Sequence, residues 1–407
     1  MAQRQESMLA VLDAGNSKIR VLVADLQDGA VRYRAHAVVE AQGMKRGVIA
    51  DLQPATKALD AAFKQVETAS GCMVAHATVG LGGAHVRGFS SRGGIRLGNR
   101  MREITQEDVR AAVERARSVQ LPQDRTVLHL LPQEYLIDEQ GGIHNPVGMV
   151  GSTLEVNLQL VTCLASAMQS AVTCMNQAGI EATDTVFEAL AAAEAVLSAD
   201  ERELGVCVLD IGAASTEIIV FFEGAVVHTA SLPIGGDHFT NDLAVVLRVS
   251  LEEAEYLKRH FGHSVVTAVS QTQEIDVQGM NTQEGTSRLV PLRFLSEILE
   301  PRARELFQMI RDNLRQGGVL EALGTGAVLV GGGAKLAGLL DHAESLLRVP
   351  SRIGSPVPLS RMPHALIDPE FATLVGLLLY SHRVRQQRAG QDAGLRSKLR
   401  AIVGGNV

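Results

Sequence analysis

"VLDAGNSKIRVLVADL", residues 11–26, runs apolar residues into Asp13, breaks at a Gly-containing turn, and then resumes an apolar run. Far downstream, "VLDIGAASTEIIVFFEG", residues 208–224, writes the same pattern around Asp210. A glycine at a strand-to-strand turn lets backbone N–H groups point inward as an anion-binding nest, and Ser or Asn adds side-chain donors. An aspartate closing each strand can hold a hydrated Mg²⁺, an ion that keeps several of its waters. One such turn is an ordinary hairpin. Two in the same pattern predict two related halves that face each other and clamp a polyphosphate between them.

Composition sets the frame for that clamp. At 407 residues the chain has room for about two to four domains. A hydrophobic content of 46% with 20% charged residues describes a globular protein. Aromatics make up 3% and there is no Trp, so the core is built from Val, Leu, Ile and Ala. The net charge of −7 carries no basic footprint and excludes nucleic acid as a partner class. Cys72, Cys163, Cys174 and Cys207 lie far apart without a C-x-x-C, which argues against a zinc site or a disulfide framework and suits a reducing cytosol. No signal-peptide pattern opens the chain, and no window approaches the ~18 apolar residues of a membrane span. The expectation is a soluble chain.

Periodicity organises the rest. Residues 10–23 and 30–39 read as paired strands, followed by a helix over 53–70. The texture changes over 84–163, where a Gly/Arg/Ser-rich loop, a helix and two alternating strand runs predict a small α+β insert. Its helix starts at Thr105 with Asp108 three residues on, a local N-terminal signature. Helices are expected over 166–178 and 188–198, with the strand "DTVF" between them. Ser250 and Glu253 mark another helix start, 270–288 reads as a polar loop, and a long helix covers 296–316. "AVLVGGGAKLAGLLDHAESLL" reads strand, Gly turn, helix. Its glycines fit neither G-x-x-x-x-G-K-[ST] nor a dinucleotide fingerprint.

The ordered set Asp13–Lys18, Asp210–Glu217, "LPIGGDHF" and "VLVGGGAKLAG" resembles the nucleotide motifs of the actin/heat-shock chaperone/sugar kinase superfamily. Within it, "ITQEDV", "VLHLLPQEYLID", "GIHNPVGMVG" and "DERELGVCVLDIG" resemble the FtsA family of bacterial cell-division proteins. The resemblance covers residues 8–382 and the style of the tail. It implies an α/β, actin-like two-lobed ATPase fold with a small α+β subdomain inserted in the first lobe. The first lobe would span 1–83 and the insert 84–163. Residues 164–382 would complete both lobes, with a small lobe at 237–293.

By that resemblance, ATP and Mg²⁺ are the implied cofactors. Asp13, Gly15, Asn16, Ser17 and Lys18 would hold phosphates from the first half, and Asp210, Gly212, Ala213, Ala214 and Ser215 from the second, with Asp13 and Asp210 on the metal. Gly235 and Gly236 would line the phosphate end. Glu255 and Lys258 share one helix face and match the family's ribose-contacting pair, although on the residues alone they read as a solvated ion pair. Gly332, Gly333 and Ala334 match its adenosine turn. Glu188 falls where superfamily ATPases orient the attacking water. It reads equally as an acidic residue favoured in a first helical turn. Ala213, Ala214 and Ser215 stand where relatives often carry glycines and Thr, so ATPase activity is expected to be weak at most.

Residues 383–394 read as a linker by composition, ahead of 395–407. On a helical wheel Leu395, Leu399, Ile402 and Val403 share one face, flanked by Arg396, Lys398 and Arg400. That pattern predicts an amphipathic helix lying on an anionic membrane surface. The family further implies binding to FtsZ through the 237–293 lobe, contacts with other division proteins and self-assembly into filaments through the insert. The implied location is the cytoplasmic face of the inner membrane at the division site. Two other readings stay open on the residues: a small-molecule kinase of the superfamily, and a pilus-assembly adaptor resembling PilM.

Overall fold

A computed structural model describes residues 8–27, 29–98, 100–279 and 287–403, with side chains through residue 387. The chain opens as an antiparallel meander of β1 (Met8–Ala14), β2 (Lys18–Gln27) and β3 (Ala30–Glu40), in which Asp13 faces Arg20 across the first hairpin. Helix α1 (Leu52–Ser70) then crosses over to β4 (His76–Leu81), which pairs parallel with β1. The Asp51 side chain accepts from the Gln53 N–H at the start of α1, and Gly71, at φ 66°, ends it in the left-handed conformation.

The insert follows as β5 (Arg87–Arg96), α2 (Gln106–Arg117), β6 (Arg125–Ile137), β7 (Gln140–Ile143) and β8 (Thr153–Leu164). Its antiparallel sheet runs β7-β6-β8-β5. Val109, Ala112 and Ala116 of α2 share a core with Leu154, Val156 and Leu158 of β8. Thr105 and Asp108 form a complete capping box at α2. The chain returns through α3 (Ala165–Gln177) to β9 (Glu181–Phe187), which joins β4 in parallel and completes the first sheet in the order β9-β4-β1-β2-β3.

Helix α4 (Glu188–Val196) leads into the second half, where β10 (Val206–Ile211), β11 (Thr216–Phe222) and β12 (Ala225–Leu232) repeat the antiparallel meander. After α5 (Gly236–Leu247) and α6 (Leu251–Phe261) comes the hairpin β13 (Glu274–Gln278) with β14 (Ser287–Pro291). Then follow α7 (Leu292–Gln316), β15 (Gly326–Val330), α8 (Leu339–Leu347) and β16 (Ser351–Ile353). The second sheet runs β12-β11-β10-β15-β16, the same succession as the first, with two antiparallel pairings and then two parallel ones.

Two expectations are corrected here. The polar loop at 270–288 contains β13 and the start of β14, and Ile275 and Val277 point into the core on alternate residues. Residues 280–286 lie outside the described residues. The linker at 383–394 is helical, because α9 (Ala372–Val403) runs through it unbroken. The side chains of Leu395, Arg396, Lys398, Leu399, Arg400, Ile402 and Val403 lie outside the described residues, as do residues 404–407. Among the described residues no helix is long and apolar enough to cross a membrane.

The halves meet along α4 and the first part of α9. One apolar cluster takes Val11 and Leu22 from the first sheet, Val208, Ile219 and Val330 from the second, and Ala191, Ala192, Leu374, Val375 and Leu378 from the two helices. The helices touch at backbone distance: a Cβ on Gly376 would lie 1.8 Å from the Ala191 carbonyl oxygen. Small residues at this crossing bring the helices together and set the angle of the cleft above it.

Candidate functional site

Between the halves lies a cleft of about 1540 Å³, roomy for a nucleotide-sized ligand. Asp13, Gly15, Asn16, Ser17 and Lys18 line it from the first hairpin, and Asp210, Gly212, Ala213, Ala214 and Ser215 from the second. Glu188, Gly236, Glu255, Lys258, Gly332 and Gly333 line it as well. Gly235 and Ala334 do not. Gly235 is packed behind the wall, where a Cβ would lie 2.7 Å from the Gly212 and Ala213 carbonyl oxygens, and Ala334 is buried beneath its turn.

Each hairpin is fixed from below. The Asn16 Oδ1 accepts from the Gly47 N–H at 2.8 Å. In the second hairpin the Gly236 and Asp237 N–H groups donate to the Gly212 and Ala213 carbonyls at 2.9 and 2.8 Å, which docks the turn on the start of α5. Gly331, at φ 84°, leaves no space for a side chain, since a Cβ there would lie 2.4 Å from Asp210 Oδ1.

Three buried carboxylates, Asp13, Asp210 and Glu217, converge at the base with the half-buried Glu188. Arg20 donates to Asp13 at 3.0 Å, and burial still raises the Asp13 carboxyl against the pull of that guanidinium. The Thr373 hydroxyl donates to Asp210 at 2.6 Å, and burial pushes Asp210 up to about 6. Glu217 accepts from the Gly83 N–H and the Ser215 hydroxyl, both at 2.8 Å; burial and the neighbouring Asp210 push it up to about 7. Glu188 is raised well above the ordinary range, by burial first and then by Asp13, Glu217 and Asp210. Its carboxylate fills the space above Gly82, where a Cβ would lie 1.9 Å from Oε2. Such a cluster carries too little positive charge of its own.

The sequence pointed to neither of two supports. His129, on β6 of the insert, accepts from the Phe187 N–H at 2.9 Å, directly ahead of Glu188. Burial lowers His129 to about 4, so the ring stays neutral with its proton on Nδ1. Arg125, also on β6, donates to the His85 carbonyl at 2.8 Å beside the cleft. On the far wall, Lys258 pairs with Glu255 at 2.6 Å and donates to Thr240 and to the Gly236 carbonyl. Burial would raise Glu255, but hydrogen bonds from Lys258 and Thr240 with the Lys258 charge hold it below the ordinary range. The pair thus belongs to a built network at the start of α5, not to a solvated helix face.

Two family models match. The model described as cell division protein FtsA covers residues 207–376, and that of the SHS2 domain inserted in FTSA covers 83–162. The cell division protein FtsA of Pseudomonas aeruginosa is 35% identical over 92% of this chain and 89% of its own length. This chain belongs to the FtsA family. Its place as a cell-division protein of the actin-like superfamily follows from FtsA itself, and the insert is the FtsA insert, one residue offset from the expected 84–163. Solved structures agree on the fold alone. The PilM–PilN type IV pilus biogenesis complex aligns with a TM-score of 0.66 at 18% identity over 91% of this chain and 98% of that one. MreB5 of Spiroplasma citri bound to ADP aligns at 0.57 and 14% over 95% and 99%. The fold is actin-like, and FtsA is the member of it that the sequence matches.

Proposed function

We propose that this chain binds Mg·ATP in the cleft and uses it as an assembly ligand, polymerising on the cytoplasmic face of the inner membrane and tethering FtsZ there. The observation that carries the reading is the convergence of two hairpins on one cleft, each closing its strand with a buried aspartate. The cluster of Asp13, Glu188, Asp210 and Glu217 fits a divalent cation, because burial raises its carboxyls and a bound cation would favour their charged forms. Among the described residues no three such side chains converge closely enough to hold a metal by themselves. That donor set suits Mg²⁺ held through waters and phosphate oxygens, with Asp13 and Asp210 nearest. When bound, the ion would neutralise phosphate charge. The chain's own groups do the rest: Ser17, Lys18 and Ser215 bind phosphate, Glu255 and Lys258 take the ribose side, and Gly332 and Gly333 take the base. Glu188 orients water. The methyls of Ala213 and Ala214 keep the backbone from closing on the terminal phosphate, so turnover is slow. MreB5, with the same fold, was solved with ADP, which supports a nucleotide in this cleft.

For FtsZ, the 237–293 lobe offers Val245, Val246, Leu251, Tyr256 and Leu289 at the surface, a set of exposed apolar side chains of the kind that marks protein interfaces. The tail supplies aliphatic and basic residues for an anionic leaflet. Flotation of the full chain with anionic vesicles and FtsZ, with ATP, ADP or neither, tests the whole reading. The expected result is co-flotation of FtsZ that ATP strengthens and that deletion of residues 395–407 abolishes. FtsZ floating equally well with the deleted chain overturns it.

A further inference from the structure

The turn between Met44 and Ile49 is absorbed by none of the motifs above, yet every one of its residues lines the cleft. Met44 pairs with Ile49 and Lys45 with Val48, so Arg46 and Gly47 form a two-residue hairpin turn with φ of 53° and 78°. A turn with both central residues at positive φ normally takes Asn or Gly first, and an arginine there costs roughly 1–2 kcal/mol of backbone strain. Residues held in such a conformation cluster at ligand clamps. Gly43, at φ 70°, anchors the base of the turn by accepting from the Ala50 and Asp51 N–H groups at 2.8 and 3.0 Å. Its tip is tied to the first hairpin by the Gly47 N–H on Asn16 and lies flat on Gly83, where a Cβ on Gly47 would come within 2.6 Å of the Gly83 Cα.

Charge accounting in the cleft gives the turn its role. Lys18, assigned above to phosphate, lies 3.7 Å from Glu370, while Arg20 is committed to Asp13 at 3.0 Å, Lys258 to Glu255 at 2.6 Å and Lys335 to Asp368 at 2.6 Å. Among the described residues, Lys45, Arg46 and Arg259 are exposed cleft-lining cations that make no ion pair, and of these Arg259 stands on the Glu255–Lys258 wall while Lys45 and Arg46 share one turn. They sit at the end where Asn16, Gly83 and Glu217 meet, the phosphate end. We propose that the Lys45–Arg46 turn is a cationic flap that takes the terminal phosphate of a nucleoside triphosphate and so distinguishes it from the diphosphate. The proposal rests on the nucleotide reading above. A guanidinium can grip a terminal phosphate in bidentate fashion, and an ammonium adds a point charge beside it.

The test is calorimetric titration of the full chain with Mg·ATP and Mg·ADP, for wild type and for the double variant Lys45→Gln with Arg46→Asn. Asn tolerates the left-handed conformation, so the turn is kept while both charges are removed. The expected result is an ATP affinity about tenfold weaker with ADP affinity unchanged within about twofold. Equal losses for both nucleotides, or none, overturn the flap and leave the nucleotide reading standing. Wild type that binds neither nucleotide overturns both. Trypsin on the wild-type chain gives a readout that needs no variant: cleavage after Lys45 and Arg46 should be slowed by ATP and not by ADP. Identical cleavage with the two overturns the proposal.

Discussion

The first half of the molecule answers its buried aspartate with a charge, and the second answers with a hydroxyl. Asp13 and Asp210 close equivalent strands of two sheets that share one strand order, yet Arg20 lies 3.0 Å from the first and the Thr373 hydroxyl 2.6 Å from the second. Repeated topology therefore preserves the place of a carboxylate without preserving how it is compensated. The first aspartate is half of an ion pair, while the second remains crowded by acid and is left for a ligand to relieve.

Removing each aspartate should expose that asymmetry. Asp13→Ala strands Arg20, whose side chain is 12% exposed, and a broken buried pair costs on the order of 3–5 kcal/mol. Glu370, 3.8 Å from Arg20, should hold the loss near the lower end. Asp210→Ala removes a buried carboxyl that a single hydroxyl compensates, and unfolding free energy should change by only about 1 kcal/mol. Urea denaturation of both variants without nucleotide decides the matter, and equal losses would erase the difference between the halves.

The seam they share comes next in size. Gly376→Ala forces α4 and α9 apart at the Ala191 carbonyl, and overpacking of this kind costs about 1–3 kcal/mol. Because the seam also sets the cleft, nucleotide affinity should fall with stability, and an unchanged affinity in calorimetry would uncouple the two.

Acid crowding gives the third expectation its sign. Asp210, near 6, and Glu217, near 7, hold protons in the folded state at pH values where the unfolded chain has released them. Ligand-free stability should therefore fall as pH rises from about 4 to about 7. Glu217→Gln should flatten the upper part of that slope in urea melts taken across the range. A slope unchanged by the substitution would place the proton elsewhere.

The smallest effects separate two helix starts. Thr105 has a complete box with Asp108, whereas at Ser250 the Glu253 carboxylate turns away to accept from the Gln278 N–H at 3.1 Å. Within the roughly 0.5–2 kcal/mol range for lost caps, Thr105→Ala should sit higher than Ser250→Ala in thermal melts.

Much of this was legible along the chain. The strand pairs, the α1 and α2 starts, the insert and both hairpins follow from periodicity and turn residues within short windows. What escaped has two physical origins. The β13–β14 hairpin offers little more than Ile275 and Val277 as alternating apolar residues in polar text, too short a signal to outweigh composition. Residues 383–394 mix helix-forming Arg and Gln with Gly390 and Gly394, so their composition reads as a linker while the helix runs through them. The site's supports escaped for a different reason: Thr373 reaches Asp210 across 163 positions and Gly83 reaches Glu217 across 134, distances at which no local pattern exists. Composition also cannot tell which of several lysines and arginines are already paired, so Lys45 and Arg46 stood out only once the other cations were placed.

Gly82 and Glu188 carry a consequence for how this family member can change over generations. The glutamate occupies the volume that any side chain at 82 would need. An alanine at 82 would swing the carboxylate aside while leaving the backbone in place, and the cell would read it as damage to position 188. Were Glu188 shortened first, the same alanine would find room waiting. The two positions, more than a hundred residues apart in the gene, thus share one volume, and an alanine at 82 is expected to be tolerated better after Glu188 has been shortened than before.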